Sequence, residues 1–245
     1  MALHDVTAYG EQVGDTYDRV YGSVLDTDGA VERLVELAAG GPVLELGVGT
    51  GRLAVPLARR GLEVVGVDSS GAMLDQLRAK ARAARVSVIE GDFTDVSVGR
   101  SFRLVVLAFN TLFALPSQDA QVACFANAAR HLAPGGRFVV EAWIHDRSWF
   151  RKGVGLWPRV LGEGTAIVVG RDDPVGQRLA VTELHFSAGG VRTVEMQHRY
   201  ASPAELDLMA RLAGLELEQR WASWREDPFQ ADSDQHVSVY RRRLS

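Results

Sequence analysis

A run of closely spaced glycines, Glu45-Leu46-Gly47-Val48-Gly49-Thr50-Gly51, follows the apolar stretch Val43 to Leu46. Glycines let a ligand approach the backbone because no Cβ stands in the way. Where such a turn joins a strand to a helix, the ligand lies beyond the carboxyl end of the strand. Asp68 stands seventeen residues after Gly51 and ends a valine-rich stretch, Glu63 to Asp68. A carboxylate there can accept hydrogen bonds from both hydroxyls of a ribose. It also precedes a helix and can cap it, so both readings of Asp68 stand. Loop and acid together point to an adenosine ligand. The position three residues after Gly49 is Arg52, where a dinucleotide loop carries its last glycine. A long side chain there obstructs close packing and pyrophosphate approach, so the G-x-G-x-G spacing favours an adenosine ligand over NAD. The lysine-bearing phosphate loop is absent from the sequence, whose lysines are Lys80 and Lys152.

Acid–base groups are few. His145 follows the stretch Arg137 to Trp143, in Trp143-Ile144-His145-Asp146, at the same rim as the glycine loop. A neutral imidazole can take the proton of an acceptor hydroxyl, and Asp146 is placed to hold the ring; His145 is the catalytic candidate. A surface histidine paired with Asp146 is the plainer alternative. His185 and His198 fall in later alternating stretches and read as strand-face residues. The six histidines show no metal-ligand spacing and no Asp/Glu cluster suggests a magnesium site, so no metal is expected. Trp143, Trp149, Phe150 and Trp157 suggest an aromatic-lined pocket, or ordinary core.

These residues need elements to position them. Val43 to Leu46, Glu63 to Asp68, Val86 to Glu90, Arg103 to Phe109 and Arg137 to Trp143 are short and apolar, as buried parallel strands are. Ser70 to Ala83 sets Met73, Leu74, Leu77 and Ala81 on one helical face, with Ser69 or Ser70 as its cap. Gln118 to Leu132 reads as a helix stopped by Pro134-Gly135-Gly136, and Pro56 predicts a bend or a late start in the helix after the first strand. Such alternation implies right-handed crossovers and a doubly wound α/β sheet. After Trp143 the period changes to two. Thr165 to Arg171, Gln177 to Ser187 and Val191 to Tyr200 alternate like antiparallel strands. Ser202-Pro203-Ala204-Glu205 then opens a helix, and Leu215 to Trp224 with Gln235 to Arg242 closes the sheet.

At this point the chain resembles the class I S-adenosylmethionine-dependent methyltransferases. Val43 to Gly51 is similar to their first motif and Val64 to Ser70 to their second. Glu90-Gly91-Asp92-Phe93 resembles their adenine-binding turn, Leu104 to Leu112 their fourth-strand motif, and His131 to Arg137 the turn before strand five. The resemblance covers about residues 30 to 143 closely. It implies a Rossmann-like doubly wound sheet with a terminal antiparallel strand and S-adenosylmethionine as cofactor, leaving as S-adenosylhomocysteine. Glu45, Gly47, Gly49, Gly51, Asp68, Ser69, Met73, Asp92, Phe93 and Phe109 become its expected contacts, with Asp68 on the ribose, Asp92 on the adenine amine and Met73 against the base. Phe109 and Asn110 would border the methyl. The antiparallel insertion, 144–200, is similar in placement to one in natural-product enzymes such as the sugar N-methyltransferases. Those also have an N-terminal lid bearing tyrosines. Here residues 1–28 carry Tyr9, Tyr17 and Tyr21, with Tyr17 expected at the cofactor and Tyr21 at the acceptor beside Asn110, Trp143 and Trp149. Plain packing of these tyrosines onto the sheet is the other reading. The Asn/Asp-Pro-Pro-aromatic signature of nucleobase and protein-amide methylation is absent: the run is Asn110-Thr111-Leu112-Phe113.

The expected function is transfer of a methyl group to an N or O atom of a small-molecule acceptor by in-line displacement. Two rivals share the same motifs: a cyclase-type enzyme, and a non-catalytic partner subunit. The 245 residues fit one domain with an insertion. A net charge of −4 gives no long-range attraction to nucleic acid or anionic membranes. The single cysteine, Cys124, reads as a buried hydrophobe; with no secretory leader it places the chain in a reducing cytoplasm, as monomer or homodimer.

Overall fold

The computed structural model describes Asp18 and residues 25–81, 85–160, 165–187 and 189–242. Helix α1 (Thr27–Ala38) starts at Asp26, whose carboxylate accepts from Gly29 N at 3.0 Å. Strands β1 (Val43–Leu46), β2 (Val64–Asp68), β3 (Val86–Glu90) and β4 (Phe102–Leu107) then alternate with helices α2 (Ala54–Arg59) and α3 (Gly71–Lys80). Pro56 lies in the first turn of α2, where a missing N–H leaves no broken bond. The cap of α3 is Ser70, whose hydroxyl accepts from Met73 N; Asp68 does not cap it.

Helix α4 (Gln118–His131) feeds β5 (Leu132–Trp143) directly. Pro134-Gly135-Gly136 was expected to separate the two. Instead Leu132 already pairs with Phe102, and the turn is absorbed as a register shift before Arg137 meets Leu104. Helix α5 (Pro203–Leu212) opens as expected, with Ser202 accepting from Glu205 N. Strands β10 (Leu215–Trp221) and β11 (Gln235–Arg242) close the sheet in the order β10-β11-β5-β4-β1-β2-β3. Strands β1 to β5 run parallel, and β11 is antiparallel to both β5 and β10. The order reverses at β1, which pairs with β2 on one side and β4 on the other, so their carboxyl ends diverge into a crevice.

Side-chain alternation supplies two cores. Leu44, Leu46, Val105, Phe138 and Val140 face α4 and α5; Val43, Val64, Leu104, Val106 and Val139 face α1, α2 and α3.

The insertion is a four-stranded antiparallel meander, β6 (Val154–Val160), β7 (Thr165–Asp173), β8 (Arg178–Ser187) and β9 (Gly190–Arg199). The sequence showed three of these strands; Pro158 and the glycines before it hid β6. Its inner face joins the α4/α5 core through Val168, Leu179 and Val181. Val194 and Met196 of β9 pack on Met73 of α3. The insertion therefore roofs the crevice.

Candidate active site

The turn after β1 sets the floor of the site. Gly47 has φ 69° and a Cβ there would stand 2.3 Å from Thr111 Cγ2, so only glycine lets the turn lie under the loop after β4. Gly49 has φ 53° with nothing within 4 Å of a would-be Cβ: here the backbone is open to a ligand. Gly51 packs beside Leu77 of α3. Asp68 reaches over from β2. Its Oδ2 accepts from Gly49 N at 2.8 Å and its Oδ1 from Ser70 N at 2.9 Å, with Ser69 N also donating. Burial raises its pKa, and these amides pull it back down. The carboxylate thus braces the glycine turn and keeps lone pairs for a diol.

Glu45 lies on β1 directly under the turn, 4 % exposed. Burial pushes its pKa up to about 8, opposed by Arg52 and the Ala54 amide. Its Oε2 is buried and has no hydrogen-bond partner among the described residues. Arg52 lines the same cleft with Glu45, Gly47, Gly49, Phe109 and Thr111. The sequence treated Arg52 only as an obstacle. Its guanidinium turns inward instead, 5.8 Å over the Phe109 ring and 4.0 Å from Glu141.

Strand β4 ends at Leu107 rather than Phe109, because Phe109 and Asn110 take left-handed conformations, φ 49° and 63°. Glu141 of β5 holds this turn: its Oε2 accepts from Phe109 N at 2.7 Å and its Oε1 from Trp224 Nε1 at 2.6 Å. Asn110 Oδ1 accepts from Trp143 N at 2.7 Å, so this side chain fastens β5 to the rim. Asp92 is exposed and accepts from Thr94 N, while Phe93 is buried and its carbonyl accepts from Asn127 Nδ2. Met73 is buried under Val194.

The aromatic candidates part company. Trp143 sits edge-on to Phe113 at 5.1 Å and to His198 at 6.3 Å, forming a wall between rim and roof. Trp149 is 58 % exposed and meets Trp157 at the edge of the insertion, away from the cleft residues. His145 is buried among Trp143, Phe150 and Tyr200, stacked on the last at 3.9 Å. Its partner is Asp172 of β7, at 3.0 Å from Nε2, and not Asp146, which binds Ser148 N and Oγ and caps its own turn. Tyr200 Oη donates to the same Asp172 oxygen at 2.9 Å. Tyr9, Tyr17 and Tyr21 lie outside the described residues. Asp18 is described, and it accepts from Thr50 Oγ1 at 2.6 Å and pairs with Lys80, so this residue reaches the glycine turn. Asp18, Arg52, Glu141 and Asp172 are the site residues that motif spacing missed; only Arg52, beside the glycines, stood where spacing could have flagged it.

A floor that offers backbone amides and a carboxylate to a diol, with a buried carboxylate and a guanidinium at its other end, suits an amino-acid nucleoside. Residues 43–136 match the model of the methyltransferase domain family. The chain is 32 % identical to the cypemycin N-terminal methyltransferase of Streptomyces sp over 98 % of its own length and all of the relative's. The chain belongs to the class I S-adenosylmethionine-dependent methyltransferases. The CcbJ methyltransferase from Streptomyces caelestis superimposes on this methyltransferase with a TM-score of 0.88 and 42 % identity, covering 98 % of this chain and 100 % of the other. The sugar N-methyltransferase KedS8 from Streptoalloteichus sp shares the fold at a TM-score of 0.67 and 22 % identity, over 99 % of each chain. The methyltransferase reading thus displaces both rivals, the cyclase and the non-catalytic subunit. Among the described residues no helix is long and apolar enough to cross a membrane.

Proposed function

We propose that this methyltransferase methylates an amine nitrogen of a small natural-product acceptor. The observation that carries this reading is the roof: Val194 and Met196 on Met73, and His198 against Trp143, narrow the crevice above the glycine turn to a chamber with apolar and aromatic walls. Such a chamber suits a compact acceptor and excludes water. The cypemycin relative acts on an N-terminus and KedS8 on a sugar nitrogen, which favours nitrogen over oxygen.

Bound S-adenosylmethionine supplies a methyl group on an already activated sulfonium. The chain's own residues bind and align. Asp68 would hold the ribose hydroxyls, with the amides of Gly49 and Ser69 beside it. Met73, Asp92 and Phe93 would border the adenine. The orphaned Oε2 of Glu45 would accept from the α-ammonium and Arg52 would face the α-carboxylate. Phe109 would stand next to the methyl, with Asn110 fixing Trp143 as the acceptor's wall. Tyr17 and Tyr21 are proposed for the lid over cofactor and acceptor. His145 has Nε2 engaged by Asp172, which leaves Nδ1 as the ring's acceptor, and it is proposed to take the proton of the incoming nucleophile. The insertion, 144–200, forms the acceptor pocket in this reading, and the cytoplasm supplies the acceptor.

The test is incubation with methyl-labelled cofactor and a panel of amine-bearing and hydroxyl-bearing metabolites. Label on nitrogen with release of S-adenosylhomocysteine is expected. Label confined to hydroxyl oxygens, or none with any acceptor, overturns the reading.

A further inference from the structure

Helix α4 carries no residue expected at the cofactor, yet two of its buried polar side chains, Asn127 and His131, both end on the turn that follows β3. Asparagine is a poor helix former because its amide competes with the backbone, and a buried amide or imidazole is costly unless hydrogen-bonded. Asn127 Nδ2 donates to Phe93 O at 2.9 Å, and His131 Nε2 accepts from Val98 N at 3.1 Å. The partners fix the chemistry of both. A carbonyl only accepts, so Asn127 presents its nitrogen to Phe93, and its Oδ1 accepts from Arg130 at 2.9 Å. A backbone N–H only donates, so Nε2 of His131 is bare and its Nδ1 carries the proton, donating to Asn127 O at 2.9 Å.

These bonds grip the turn near both of its ends. Gly91 N donates to Asp68 O at 2.9 Å, which ties its start to β2 as well. Asp92 lies between these ties. Its O accepts from Val96 N at 2.9 Å and its Oδ1 from Thr94 N at 2.8 Å, and Val96 and Val98 pack on the α4 core. The Asp92 side chain is exposed, so its aim is set by the backbone that carries it, and α4 sets that backbone. A carboxylate accepts from the 6-amino group of adenine and repels the 6-carbonyl of hypoxanthine. How strongly it does either depends on distance and angle, since a hydrogen bond weakens steeply away from its ordinary geometry.

We propose that Asn127 and His131 are positioning residues that make the cofactor site selective for adenine over a 6-oxopurine, by holding the turn that carries Asp92. The inference rests on the role given to Asp92 at the adenine in the proposed function. Calorimetry of the full chain with S-adenosylhomocysteine and with S-inosylhomocysteine tests it through the ratio of the two dissociation constants. The unaltered chain is expected to favour the adenosine ligand by about tenfold or more. Asn127→Asp sets an acceptor against Phe93 O, and His131→Leu removes the acceptor of Val98 N; both are expected to bring the ratio down to about one. His131→Gln can still accept from Val98 N and is expected to keep the preference. Loss of stability alone weakens both ligands alike and leaves the ratio where it was. Should Asn127→Asp fail to fold, the two His131 variants carry the test. An unchanged ratio in Asn127→Asp and His131→Leu overturns the positioning role and leaves Asp92 at the adenine. No preference in the unaltered chain, or a preference that survives Asp92→Ala, overturns the role of Asp92 and the positioning role with it.

Discussion

His145 Nε2 and Asp172 Oδ1 meet at 3.0 Å across the join between the main sheet and the insertion. One residue follows β5 and the other lies near the end of β7, so the contact exists only when the meander is docked. Arg147 and Tyr200 complete the surroundings of Asp172, whose side chain is 1 % exposed. The pair fixes one imidazole tautomer and fastens the roof at the same time.

The pair should leave a signature in kinetics. Burial lowers the pKa of His145 while Asp172 raises it, so the ring is neutral at pH 7. If it takes the proton, His145→Ala should lower turnover about a hundredfold with cofactor affinity intact. Asp172→Asn removes the influence that raises the pKa, so the acidic limb of the pH–rate profile should move to lower pH. Normal turnover and an unchanged profile in both variants would leave the pair as a fastener alone.

Glu45 predicts a proton on binding. With its pKa near 8 it is largely protonated at pH 7, and an α-ammonium beside Oε2 favours the carboxylate. Cofactor binding at pH 7 should therefore release a proton, seen as a binding enthalpy that depends on the buffer's ionisation heat. In Glu45→Gln that dependence should vanish. Its persistence would assign the proton to another group.

Asp68 holds both the turn and, in the proposed role, the ribose. Asp68→Ala should weaken S-adenosylhomocysteine binding by about 2–4 kcal/mol, the loss of two hydrogen bonds to a carboxylate. Because Ser70 caps α3, the helix should persist in circular dichroism. An unchanged dissociation constant sinks the ribose role.

His236 should govern acid stability. It is fully buried on β11, and burial with Arg220 nearby brings its pKa down to about 4. The unfolded chain, titrating near 6.5, binds the proton more readily, so stability is complete above that value and falls as pH drops from 6.5 toward 4. The full shift corresponds to about 3 kcal/mol. Denaturant titrations of His236→Gln should lack this slope; a slope that survives assigns it elsewhere.

Much of this molecule is written locally. The parallel strands are apolar runs bounded by glycine or polar residues, and Ser70, Ser117 and Ser202 each cap the helix that follows. Periodicity and capping act over a few residues, so they survive in the sequence as pattern. The glycine turn and Asp68 share that legibility, because a turn that a ligand approaches must be glycine wherever it occurs. The partners of the site residues are of another kind. Glu141 holds Phe109 and Trp224 from thirty-two and eighty-three residues away, and Asp172 rather than its neighbour Asp146 holds His145. Asp146 is sequence-adjacent but satisfied by its own turn, and no local pattern announces a partner that arrives from another sheet. Only the docking of the meander chose Asp172, placed Met73 under Val194, and decided which face of β6 meets the core and which is left bare.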